Sequence, residues 1–131
     1  MKFNYKKYSP TIFRPVIPII LEHRGVKVGY EVLVDSGADL NILDAEIADI
    51  LGINLISGEK SEVSGITGSS EPFYIHRITL IVGGCKCENI RVGFLKNIGQ
   101  YGYGVVGQNG FFDLFTIKFD LLKKEIEIKP H

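Results

Sequence analysis

With 131 residues the chain has the length of one domain, at about 150 residues per domain. A hydrophobic fraction of 45% beside 23% charged residues excludes a disordered tail, because such chains bury too little apolar surface to fold. Fifteen basic residues balance fifteen acidic ones, so nucleic-acid binding through a basic face is not expected.

Residues 1–12 are rich in lysine and aromatics and read as an N-terminal arm; residues 13–131 read as a single domain. Pro10, Arg14, Pro15 and Pro18 interrupt any secretory signal core. Val16–Leu21 and Val28–Val34 read as strands joined through Glu22-His23-Arg24-Gly25, and Glu31 among apolar neighbours suits a strand with one wet face. The spacing of Leu40, Leu43, Ile47, Ile50 and Leu51 predicts a helix over Leu40–Leu51, with Asp39 able to cap its start and Gly52 its end. Ser61–Ser70 reads as a loop with the shape of a hairpin tip, around Gly65 and Gly68. Strands are predicted at Phe73–Val82 and Ile90–Leu95, with Gly83-Gly84 as a turn. Residues 99–110 are glycine-rich, Phe111–Phe115 reads as a turn or short helix, and Ile117–Phe119 with Glu125–Ile128 closes the chain as a hairpin. Many short strands with glycine turns argue an all-β barrel or sandwich with one or two short helices.

Cys85 and Cys87 are one residue apart and point the same way on a strand. A disulfide across so short a loop is strained, and no neighbouring Cys or His pair completes a zinc site. They read as reduced thiols in or beside a turn, which suits a reducing cytoplasm. No apolar run approaches the roughly 20 residues that span a bilayer, so no membrane partner is expected. His23, His76 and His131 have no partners of matching spacing and take no role.

The distinctive stretch is Val32-Leu33-Val34-Asp35-Ser36-Gly37-Ala38-Asp39. An apolar strand delivers an acid, a hydroxyl, a glycine and a small residue, which sets one carboxylate rigidly at the floor of a cleft and lets backbone come close at Gly37. Asp, Ser and Gly are also common turn residues, so the tripeptide alone decides nothing. Some seventy residues downstream comes Val105-Val106-Gly107-Gln108-Asn109; between them lies Val63–Ser70, and Arg14-Pro15 opens the first strand.

In this order of features the chain resembles the retropepsin family, the retroviral-type aspartic proteases, over roughly residues 13–128. The resemblance implies an acid-protease barrel active as a symmetric homodimer, an endopeptidase that cuts extended polypeptides with no metal or organic cofactor. Asp35 would be the catalytic acid, one from each of two chains, since the sequence holds one Asp-Ser-Gly and no repeat. Ser36 would brace the active-site loops, and Gly37 and Ala38 would line the cleft floor. Asp39 would hold substrate main chain and meet Arg14 of the other chain, although a helix cap is the simpler role for it. Leu33, Ile42, Tyr103 and Val105 would line apolar pockets, and Gly65 and Ile66 would belong to the flap. The terminal strands, Glu125–Ile128 and the N-terminal arm, would tie the protomers together. Gln108 stands where the family has Arg, which removes a salt bridge and weakens the case for a strong dimer. A retropepsin-like dimerisation or peptide-binding module with little hydrolytic activity is therefore the alternative.

Overall fold

The computed structural model describes residues 1–64, 70–98 and 102–131. The expected N-terminal arm is itself built of strands: β1 (Lys2–Asn4), β2 (Lys6–Ser9) and β3 (Ile12–Arg14), with β2 and β3 forming a separate two-stranded hairpin. β4 (Val16–His23) and β5 (Val26–Val34) follow as an antiparallel pair. In β4, Ile17, Ile19 and Leu21 are buried while Pro18 and Ile20 face outward, the period-two alternation of a strand with one wet face. The connection turns at Arg24 and Gly25, both at positive φ, the geometry that matches a tight hairpin to strand twist.

The helix expected over Leu40–Leu51 begins five residues late. Asn41–Asp44 is a strand, β6, and the helix α1 covers Ala45–Ile50. Asn41 and Leu43 are buried and Ile42 and Asp44 are not, so a strand alternation sits inside a set of apolar residues that also fits a helical stripe. Neighbouring strands decide between the two, because β6 is hydrogen-bonded on both edges. Asp44 caps α1 by accepting from the Glu46 N–H at 2.8 Å, so Asp39 is not the helix cap; Gly52, at φ +74, ends the helix as expected.

β7 (Glu59–Ser64) and β8 (Ser70–Val82) form a long hairpin; β9 (Cys85–Leu95), β10 (Gly104–Val106), β11 (Phe115–Asp120) and β12 (Glu125–Pro130) complete the chain. β9 starts at Cys85, well before the strand expected at Ile90. Ile78 and Leu80 of β8 pair with Ile90 and Cys87 of β9, so β9 spends one extra residue there, with Asn89 at φ +61, and its alternation breaks. Phe111–Leu114 is a run of turns, not a helix.

Six strands close a barrel in the order β4-β5-β10-β6-β9-β8, and β8 returns to β4 through Ile20↔Ile81 and Leu21↔Leu80. The fold is therefore the all-β barrel with one short helix that the sequence implies. Its core holds Ile17, Leu21, Val32, Leu43, Leu80, Val82, Val92, Phe94 and Phe111, and Ile126 and Ile128 extend it under the smaller sheet β1-β12-β11. Within that sheet β1 pairs with β12 of its own chain, Lys2↔Glu127 through Asn4↔Glu125. Among the described residues no helix is long and apolar enough to cross a membrane. Phe111 is fully buried against Phe115, ring centroids 5.1 Å apart. Truncation by Phe111→Ala should lower unfolding free energy by about 3–5 kcal/mol, read by urea denaturation; a loss within about 0.5 kcal/mol would contradict this packing.

Candidate active site

The short strand β10 runs parallel to β5 and antiparallel to β6, wedged between them. This wedge sorts side chains onto two faces. Val32, Val34, Val106 and Leu43 point into the core, while Leu33, Val105 and Ile42 meet on the other, half-buried face through Val105↔Leu33 and Val105↔Ile42. The structure thus brings together three of the four residues expected to line apolar pockets. The fourth, Tyr103, is buried just before β10. Gly65 and Ile66 lie outside the described residues.

Asp35 follows β5 at the edge of that face and is half-buried. Its backbone N–H donates to the Val106 carbonyl at 3.0 Å, so β10 sets its height. Its carboxylate Oδ1 accepts from the Gly37 N–H at 2.8 Å, fixing the side chain's orientation. A Cβ at position 37 would lie 3.2 Å from that same oxygen, so glycine keeps the contact uncrowded. Ala38 N–H closes the turn onto the Asp35 carbonyl at 3.2 Å.

The loop after β10 is bonded to the loop after β5 at several points. Gln108 N–H donates to the Ala38 carbonyl at 2.8 Å, and the Gln108 side-chain amide donates to the Ser36 carbonyl at 2.8 Å. The Asn109 backbone N–H and side-chain amide both donate to the Asp39 carbonyl, at 2.9 and 3.0 Å. At Gly107 a Cβ would fall 2.4 Å from the Ala38 carbonyl oxygen, so only glycine permits this approach. Gln108, where the resemblance expects Arg, bonds within its own chain.

One positioning residue escaped the sequence reading. Asn41 is the only buried polar side chain among the described residues. Its Oδ1 accepts from the Gly107 N–H at 3.0 Å, and its Nδ2 donates to the carbonyls of Gly110 at 3.1 Å and Arg91 at 3.4 Å. An Asn just before apolar residues carries no signal of such a role, because its three partners are remote in the chain. The Asp39 side chain is exposed. Arg14 is half-buried, its Nη1 donating to the Tyr103 hydroxyl at 3.2 Å.

Two hollows of about 640 and 650 Å³ lie elsewhere, one beside Phe3, Ile20 and Tyr30 and the other beside Asp44, Glu46 and Lys96. Neither is lined by Asp35. Among the described residues no three His, Cys, Asp or Glu side chains converge on a metal site. The free Cys85 and Cys87 pack against the core. Burial, then the neighbouring Cys85, pushes the Cys87 thiol up to about 11.

The family model described as aspartyl protease matches residues 20–109. No curated protein matches the chain. Among solved structures, a retropepsin-like aspartic protease from Rickettsia conorii superposes with a TM-score of 0.66 at 18% identity, covering 98% of both chains. EIAV protease in complex with an inhibitor superposes with a TM-score of 0.51 at 18% identity, covering 78% of this chain and 88% of that one.

Two outcomes are expected from this geometry. Asn41→Leu should cost about 1–3 kcal/mol for each buried group left unpaired, measured by denaturant unfolding; a neutral effect would remove Asn41 from the bracing. With its high pKa, Cys87 in the native protein should alkylate at pH 8 roughly 10-fold more slowly than an ordinary thiol, its scarcer thiolate being partly offset by greater nucleophilicity. Mass spectrometry after timed iodoacetamide treatment reads the rate, and native reactivity equal to that of the unfolded chain would refute it.

Proposed function

The chain belongs to the aspartyl protease family, and from that premise we propose that it is an endopeptidase acting as a symmetric homodimer. The observation that carries this reading is Asp35, a single carboxylate held by the Gly37 N–H at the end of β5, beside the apolar face of Leu33, Ile42 and Val105. The sequence has one Asp-Ser-Gly, so the second acid comes from a second copy across a twofold axis. Two carboxylates a few ångströms apart do not both ionise easily; the pair holds one proton, and its titration belongs to the pair.

The ionised member takes a proton from water as the water oxygen attacks the peptide carbonyl carbon. The protonated member gives its proton to the carbonyl oxygen. The neutral tetrahedral intermediate then collapses, its C–N bond breaking as a proton passes to the leaving amine. No metal or organic cofactor takes part.

The substrate is an extended polypeptide laid along the floor as an added strand. Gly37 and Ala38 let its backbone approach, Asp39 holds its main chain, and Leu33, Ile42, Val105 and Tyr103 favour apolar or aromatic side chains beside the cut bond. The segment between β7 and β8, with Gly65 and Ile66, serves as the flap. Ser36 hydroxyls brace the paired loops, and Arg14 meets Asp39 across the interface. A hollow sized for peptide arises when two half-clefts meet. Free Cys85 and Cys87 favour the cytoplasm as its compartment.

Sedimentation and cleavage of unfolded casein near pH 5, over a range of protein concentrations, test this reading. Wild type should dimerise and cleave, with pepstatin blocking it; Asp35→Asn should dimerise and lose roughly 10³-fold or more in kcat. A wild type that stays monomeric and inert at high concentration would reduce the protein to a peptide-binding module.

A further inference from the structure

Arg14 reaches its place in an unusual setting. Among the described residues no carboxylate pairs with it; two tyrosines hold it instead. Tyr103 accepts from Nη1 at 3.2 Å, and the ring of Tyr8 lies 4.9 Å from the guanidinium carbon. Tyr8 and Tyr103 also meet edge to face, with centroids 6.0 Å apart. The three side chains form one cluster drawn from both strands of the N-terminal hairpin and the approach to β10.

Tyr8 owes its position to a flaw in the hairpin. Lys7 pairs with Phe13 and Ser9 with Ile12, so β2 spends one more residue than β3, and that residue is Tyr8. An extra residue of this kind bends its strand and re-aims a side chain. The hairpin is pinned on both sides of the bulge. Lys6 forms an ion pair with Glu31 of β5, and the Ser9 hydroxyl accepts from the Ile12 N–H at 3.1 Å across the turn. Tyr8 therefore stands on a strand fastened to β5, the strand that leads into Asp35.

A guanidinium stacked on an aromatic face and bonded through one nitrogen has lost most of its rotamer freedom before any acid arrives, and its remaining N–H groups still offer the planar fork that suits a carboxylate. We propose that Tyr8 is a positioning residue: the bulged N-terminal hairpin presses its ring on Arg14 and so presents the guanidinium, already ordered, to Asp39 of a second copy. This rests on the homodimer reading above. It assigns the N-terminal hairpin a task in assembling the active dimer, and it offsets the loss of the family's Arg at Gln108 by ordering the remaining cation in advance.

The test is a dimer dissociation constant from sedimentation, with kcat per dimer measured at saturating protein. Tyr8→Ala and Tyr8→Leu should each weaken the dimer about 5- to 10-fold while kcat per assembled dimer stays constant. Tyr8→Phe, which keeps the aromatic face, should restore wild-type affinity. In an Asp39→Asn background, Tyr8→Ala should change affinity little, because the partner that Arg14 is being held for is gone. An equal loss in both backgrounds, or a Tyr8→Phe variant as weak as Tyr8→Ala, would overturn the proposal and leave a normal dimer standing. A wild type that never dimerises would instead remove the homodimer reading itself.

Discussion

The Asn41 side-chain amide is the joint on which the candidate site depends. β10 is only three residues long and must lie between β5 and β6, parallel to one and antiparallel to the other. Asn41 ties the residue after that strand, Gly107, to β6, and ties Gly110 to the same point. With β10 fixed in height, the Val106 carbonyl receives the Asp35 N–H, and the catalytic candidate is fixed in turn. A buried amide is costly unless its groups are bonded. Here both ends are satisfied, so a polar group in the core adds geometric definition that an apolar residue of similar size would not.

Around that joint one loop offers backbone carbonyls, and the other meets them with backbone N–H groups and side-chain amides in equal number. Ala38, Asp39 and Ser36 all give their carbonyls to the loop of Gln108 and Asn109. Each loop lacks regular secondary structure, so its polar groups need partners from outside. Gln108, at the position where the resemblance expects Arg, joins this intrachain bracing through a neutral amide that reaches the Ser36 carbonyl. The side chains this leaves exposed, Ser36 and Asp39, are those the family reading sends across a twofold axis.

What the sequence made legible was what depends on near neighbours. The alternation in β4 and β5, the Arg24-Gly25 turn, and the strand that ends on Asp35-Ser36-Gly37 are all local patterns, and the structure has them. The apolar trio of Leu33, Ile42 and Val105 came from the resemblance and falls on adjacent strands. The misreadings share a cause. Asn41–Asp44 satisfies a helical stripe and a strand alternation equally well, and strands from distant parts of the chain settle it. A register shift hides the period of β9 ahead of Ile90. Asn41 and Tyr8 were passed over because their partners lie across the fold, and a bulge in a hairpin leaves no mark in composition.

The wedge of β10 between β5 and β6 also governs when the site can exist. Its neighbours are complete by residue 44, yet Gly104–Val106 follows only some sixty residues later in the chain. Pairings between distant segments pay their loop-closure cost before any contact rewards them, and they form slowly. Until then Asp35 has no carbonyl to fix its backbone and Ser36 no amide on its own. Asp35 thus acquires its setting only after the chain through Val106 is available to fold.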